Sequence, residues 1–172
     1  AELAVLLIIT ALRRLTQLVT DLREGRYHGP AYESGWETIT ELTAKRVGIV
    51  GFGRIGQNVA LRLAGWDCEL VYCDQRQADP ERERQCNATR VSLDELMQIG
   101  DVITIHTPLT DKTRGMIGAA QIGQMKPTVV LVNTGRGPVV DETALIAALQ
   151  SGAIAGAGLD VTETEPIPPD SP

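Results

Sequence analysis

Aromatic side chains are scarce: one Phe, two Trp and three Tyr serve a chain of 172 residues. The core must therefore be filled by Val, Ile, Leu and Ala, which suits parallel strands covered on both faces by helices. Cysteine is nearly as rare. Cys68, Cys73 and Cys86 are odd in number and form no CxxC pair. That argues against a disulfide framework or a zinc knuckle, so no metal site is expected, and it favours a reducing, cytoplasmic setting. An excess of basic charge is also missing. The formal net charge is −6, the opposite of what nucleic acid selects through its phosphates. The longest apolar run, Leu3 to Ile9, has no basic segment before it. Arg13 and Arg14 interrupt it well short of the ~20 residues of a membrane span, so no membrane association is expected.

A chain of this length supports one domain with a sizeable core, burying roughly 70% of its unfolded surface. Residues 1–25 are expected to form an N-terminal helix. Leu15, Leu18, Val19 and Leu22 fall at helical spacing, and Gly25 follows as a stop. The first two turns are apolar nearly all round and need cover on more than one side, within the domain or from another subunit. A homodimer is the expectation. Residues 26–44 read as a connector crossing the surface.

From Lys45 to Pro166 the pattern becomes regular. Strands are expected at 46–50, 70–73, 102–105, 129–132 and 157–161. Helices are expected at 56–63, after a capping box formed by Ser92 and Glu95, at 119–125 ahead of Pro127, and from an Asp141 cap through Leu149. The stretch 75–87 is charged and poorly patterned, and 167–172 reads as an exit tail. Strands alternating with helices imply right-handed βαβ units: an α/β fold with a doubly wound parallel sheet of the Rossmann type.

Gly51-Phe52-Gly53-Arg54-Ile55-Gly56 follows the first strand and opens a helix. Gly51 permits the tight turn, Gly53 lets backbone approach a pyrophosphate, and Gly56 allows helix to pack closely on strand. The helix N-terminus adds free amides and a positive dipole end. Asp74 ends the second strand, where a carboxylate can accept hydrogen bonds from the adenosine ribose and repel a 2′-phosphate. Together these predict a dinucleotide, NAD rather than NADP, although Arg76, two residues on, could pair with a phosphate.

The second half of the chain carries a more specific signal. His106-Thr107-Pro108-Leu109-Thr110, Met125-Lys126-Pro127, Asn133-Thr134-Gly135-Arg136-Gly137 with Val140-Asp141-Glu142, Gly158-Leu159-Asp160-Val161 and Glu165-Pro166 occur in that order. This series resembles the D-2-hydroxyacid dehydrogenase family over essentially the whole chain. The resemblance implies that Arg136 binds the substrate carboxylate and carbonyl oxygen. It implies that Glu165 orients and charges a catalytic histidine, and that Asp160 faces the nicotinamide end of the coenzyme. The same resemblance implies that the amides of Arg54 and Ile55 lie at the pyrophosphate, while Thr107, Pro108, Thr134 and Gly135 fall to the coenzyme's nicotinamide side. The chemistry is coherent: a guanidinium fork can hold a carboxylate and stabilise charge developing on a carbonyl oxygen. A carboxylate beside a histidine favours the protonated, proton-donating form.

Taken singly, Arg136 reads as a loop arginine in a surface ion pair and Glu165 as part of a solvated acidic tail. The joint motif is what raises both. His106 reads as a structural or riboside-wall residue, His28 as incidental and Cys73 as filler. No histidine follows His106, so the family's proton donor and its substrate domain are expected outside this segment. The resemblance leaves phosphoglycerate, glyoxylate or hydroxypyruvate, and D-lactate open as substrates. The alternative is a non-catalytic NAD-sensing module of the corepressor kind.

Overall fold

The computed structural model describes residues 1–26 and 40–171. Six parallel strands form one sheet: β1 (Arg46–Val50), β2 (Glu69–Cys73), β3 (Ala88–Arg90), β4 (Val102–Ile105), β5 (Val130–Asn133) and β6 (Gly156–Leu159). Their order is β3-β2-β1-β4-β5-β6, with Val47 opposite both Leu70 and Val102 in the register. The chain winds outward one way from β1 to β3 and the other way from β4 to β6. This is the doubly wound Rossmann arrangement expected from the sequence.

Side chains alternate between the two faces of the sheet, as a period of two requires. Val47, Ile49, Leu70, Tyr72, Val102, Val130 and Val132 belong to one core. Val50, Val71, Ile103, Ile105 and Leu131 belong to the other. Two N-terminal helices, α1 (Glu2–Leu12) and α2 (Leu15–Arg23), precede the sheet, and α3 (Arg54–Leu63) follows β1. The first core is closed by Ala4, Ile8 and Leu12 of α1 and by Val59, Ala60 and Leu63 of α3. A helix α4 (Pro80–Cys86) adds Cys86 to the same side. The second core is closed by Leu96 and Met97 of α5 (Leu93–Ile99), Ile122 of α6 (Ala119–Ile122), and Leu145 and Ala148 of α7 (Glu142–Ser151).

Several elements differ from the sequence expectation. The N-terminal segment is two helices that meet at 61°, because Arg14 takes a left-handed conformation (φ 49°, ψ 39°) at the start of α2. Cover for the apolar first helix comes from the sheet itself: Ala4 and Ile8 are fully buried, and Leu7 Cβ lies 3.0 Å from where a Cβ on Gly158 of β6 would sit. No single helix among the described residues is long and apolar enough to cross a membrane.

The stretch 75–87 contains α4, capped by the Asp79 side chain accepting from Glu81 N, with Pro80 at its first position. A sixth strand, β3, follows. The helix after β1 begins at Arg54 rather than Gly56. The helix at Ala119 stops at Ile122 because Gly123 is its C-cap, so Gly123 is not the interior glycine that 119–125 would have made it. β5 and β6 are each displaced by about a residue from their expected spans. Of the connector, 40–44 is described and Leu42 is buried, so this part of the connector is anchored in the core. Residues 27–39, with His28, lie outside the described residues.

Candidate functional site

The winding direction reverses between β1 and β4, which opens a crevice at the carboxyl ends of the strands. A cavity of about 400 Å³ lies there, lined by Gly51, Gly53, Asp74, Thr107 and Pro108 of the expected residues. Cys73, Gln75, Arg76, His106, Thr113 and Met116 complete much of the wall. Gly51 turns out of β1 with φ +91°, and a Cβ there would sit 2.9 Å from the Thr107 nitrogen. The β1 loop therefore rests directly on the β4 loop.

At Gly53 the position of a Cβ is open space within 4 Å. The α3 N-terminus behind it has no side-chain cap, whereas Asp79, Ser92 and Asp141 cap α4, α5 and α7. The first amides of α3, at Arg54, Ile55 and Gly56, thus face an approachable loop without a side-chain acceptor. That is the environment an anionic pyrophosphate fits.

Asp74 stands beyond β2 on the far side of the cavity. Its Oδ2 accepts from Phe52 N at 2.7 Å and its Oδ1 from Arg76 N at 3.1 Å. The carboxylate thus ties the glycine loop to the loop after β2, while each oxygen keeps a lone pair for a ribose hydroxyl. Arg90 of β3 donates to Asp74 O at 2.8 Å. The residues present therefore fit a dinucleotide: open space at Gly53, free amides behind it and a carboxylate at the ribose end.

His106 is held by two hydroxyls, Thr104 Oγ1 at 3.0 Å from Nε2 and Thr134 Oγ1 at 3.2 Å from Nδ1. Burial pushes its pKa down to about 4. A neutral ring wedged between two threonines is a wall, not a proton donor at neutral pH.

Thr134, Gly135 and Arg136 follow β5 beside the cavity rather than lining it. Asn133 organises this turn: its Nδ2 donates to Arg136 O at 3.0 Å, and its Oδ1 accepts from Gly135 N at 3.0 Å. The Arg136 guanidinium is exposed and folds back on Gly135 O at 2.7 Å. The loop after β6 carries Asp160, whose N–H donates to Asn133 O at 3.0 Å. Glu165, also exposed, accepts from Thr162 N at 3.1 Å.

The β5 and β6 loops touch at Gly137, where a Cβ would fall 1.9 Å from Thr162 O. Glu142 and Glu163 add a reciprocal clasp, with Glu163 N donating to Glu142 Oε2 at 2.7 Å. The structure thus gathers Gly51, Gly53 and Asp74 around the cavity and sets Arg136 and Glu165 on adjoining loops, each carboxylate or guanidinium engaged with its own loop. Asn133 and Thr113 are organisers that sequence reasoning passed over. Thr113 is buried and bridges Pro108 O (2.6 Å) and Thr110 N (2.8 Å). An asparagine ending an otherwise aliphatic strand was the available signal for Asn133.

The family model described as "D-isomer specific 2-hydroxyacid dehydrogenase, NAD binding domain" matches residues 5–172. The glyoxylate/hydroxypyruvate reductase B of Citrobacter koseri is 42% identical over 176 aligned residues, covering 100% of this chain and 52% of that protein. A glyoxylate reductase structure from Paecilomyes thermophila superposes with a TM-score of 0.89 at 37% identity, covering 98% of this chain and 49% of that one. The D-lactate dehydrogenase of Lactobacillus jensenii, solved with NAD+, gives 0.84 at 32% identity, over 95% of this chain and 48% of that one. The chain spans about half the length of the curated relatives it matches.

Proposed function

We propose, from the premise that this chain belongs to the D-isomer specific 2-hydroxyacid dehydrogenase family as its NAD-binding domain, that the whole protein interconverts a D-2-hydroxy acid and its 2-keto acid. Glyoxylate and hydroxypyruvate are the favoured keto acids, because relatives at 40–42% identity are named for reducing them. The observation that carries the reading is the contact of the Arg136 turn with the Glu165 loop, at Gly137 and Thr162, beside the cavity. The non-catalytic alternative finds no support among the relatives, which are named as reductases and dehydrogenases.

When bound, NAD(H) would supply the chemistry of hydride transfer. The α3 amides at Arg54 to Gly56 hold the pyrophosphate and Asp74 takes the ribose hydroxyls. Thr107, Pro108, Thr134, Gly135 and Asp160 serve the nicotinamide side. Arg136 binds the substrate carboxylate and stabilises charge on the carbonyl oxygen. Glu165 would hold protonated the histidine that the family resemblance implies, so that an imidazole N–H delivers the proton.

The test is steady-state kinetics on the full-length enzyme. Arg136→Ala should raise KM and lower kcat together, with Arg136→Lys rescuing only in part for lack of a planar fork. Glu165→Gln should leave KM at acid pH nearly unchanged. Reduction needs the protonated histidine, and a neighbouring carboxylate raises its pKa, so removing that charge should move the alkaline limb of kcat/KM to lower pH. An unmoved limb returns Glu165 to the solvated loop.

Two further readings belong here. The exposed leucines of the N-terminal helices, Leu3, Leu6, Leu15 and Leu22, between 42% and 57% accessible, support a homodimer built on that face, which light scattering of the full-length protein tests. The three unpaired thiols support a cytoplasmic setting.

A further inference from the structure

The loop from Asp74 to Asp79 carries the carboxylate that faces the coenzyme's ribose, yet it belongs to neither a strand nor a helix. What fixes it lies underneath, at Tyr72 of β2. This ring is fully buried and stacks on Phe52 of the glycine loop, with centroids 4.0 Å apart and planes at 18°. In a chain with so few aromatics, that stack sits directly beneath the turn that receives the pyrophosphate.

The Tyr72 hydroxyl makes two further bonds. It donates to Glu83 Oε1 of α4 at 2.5 Å and accepts from Ala78 N at 3.0 Å. Burial first, then the Glu83 carboxylate, push the phenol above its ordinary range, so it stays protonated and able to donate. One side chain thus joins the glycine loop through its ring, and the loop after β2 and helix α4 through its hydroxyl. The loop is held at its other end by Asp74 Oδ2 accepting from Phe52 N.

We propose that Tyr72, braced by Glu83, is a positioning residue for coenzyme selection: its hydroxyl pins the 74–79 loop so that Asp74 meets the adenosine ribose and turns away a 2′-phosphate. The proposal rests on the assignment of the cavity beside Asp74 as the adenosine subsite. It separates two jobs within one side chain. The ring supports the glycine loop, and the hydroxyl sets the loop that discriminates.

Titration of the chain with NADH, NADPH and ADP-ribose tests it. Tyr72→Phe keeps the stack and removes the hydroxyl, leaving Ala78 N and Glu83 without that partner. NADH and ADP-ribose should each bind about three- to tenfold more weakly, the worth of a hydrogen bond or two. NADPH should lose less, so the NADH preference narrows. Glu83→Gln, which keeps an acceptor for the phenol, should stay near wild type, and Glu83→Ala should follow Tyr72→Phe.

Unchanged NADH and ADP-ribose affinity in Tyr72→Phe overturns the proposal. So does an equal loss for NADH and NADPH, which would mark general loosening of the fold. If the wild-type chain binds NADH but Asp74→Asn alters neither NADH nor ADP-ribose binding, the subsite assignment itself fails, a result distinct from both.

Discussion

Ala44 enters the sheet with φ +60°, a left-handed conformation that costs a residue bearing a Cβ roughly 1–2 kcal/mol. It is held there because its N–H donates to Asp67 O at 2.9 Å while Lys45 N–H closes onto Leu42 O at 2.9 Å. A glycine would adopt this backbone without that cost. Ala44→Gly should therefore stabilise the fold by about 0.5–1 kcal/mol, the greater chain entropy of glycine offsetting part of the relieved strain. Thermal unfolding should register this as a rise of roughly 1–4 °C.

His106 makes the opposite kind of statement. Its folded pKa of about 4 lies below the ordinary 6.5, so the unfolded chain takes up a proton that the folded one refuses. The associated stability is intact above pH 6.5 and is lost as pH falls from there through about 4. By linkage the loss is at most about 3 kcal/mol. Denaturant unfolding across that window should show the slope, and His106→Gln should flatten it. Asp74 was legible as a carboxylate at the crevice from its place after a strand and a glycine turn, but its bond to Phe52 N was not. Nothing in a one-dimensional string says that those two loops meet.

Elements were read best where packing enforces a period. β1, β2 and β4 alternate between two buried faces, and their strings of Val, Ile and Leu announced them. α4 and β3 escaped because Pro80–Cys86 is charged on most sides and buries only Cys86, while β3 is three residues, Ala-Thr-Arg, on the sheet edge. The Asp79-Pro80 start was a readable helix signal that the charge density obscured. The break between α1 and α2 had no such punctuation: two arginines are good helix formers, and tertiary burial of α1 on the sheet decides where the helix stops.

The loop elements at the site allow a sharp contrast. Gly137→Ala would drive a Cβ to 1.9 Å from Thr162 O, forcing the Arg136 turn and the Glu165 loop apart. It should cost roughly 1–3 kcal/mol in unfolding experiments, as overpacking against backbone does. Gly53→Ala meets nothing within 4 Å and should leave the unfolding midpoint nearly unchanged while weakening NADH binding. Equal effects of the two substitutions on stability would mean that the loops are not in the contact described.

At the scale of the molecule, the carboxyl ends of the strands bring the candidate residues together: the glycine turn, Asp74, the arginine turn and the acidic loop all follow them. The fold class was legible because alternation and turn chemistry agree throughout. The candidate residues were legible only where a motif named them. Asn133, Thr113 and Tyr72 act through side-chain hydrogen bonds to turns and loops two to eleven residues away along the chain, and their identities carry no pattern of their own. The net charge of −6 does not oppose an anionic coenzyme, because binding answers to the local amides and dipole of α3 rather than to the total.

The central claim is that this chain holds NAD across the β1–β4 crevice with Asp74 at the ribose. Calorimetric titration of the 172-residue chain with NADH and NADPH, wild type beside Asp74→Gly, tests it most directly. The account predicts saturable one-to-one NADH binding, preferred over NADPH. It predicts a loss of roughly 1.5–3 kcal/mol in NADH binding for Asp74→Gly, with NADPH binding held or improved. Absence of saturable NADH binding to the folded wild-type chain, or a coenzyme preference that Asp74→Gly leaves unchanged, would contradict it.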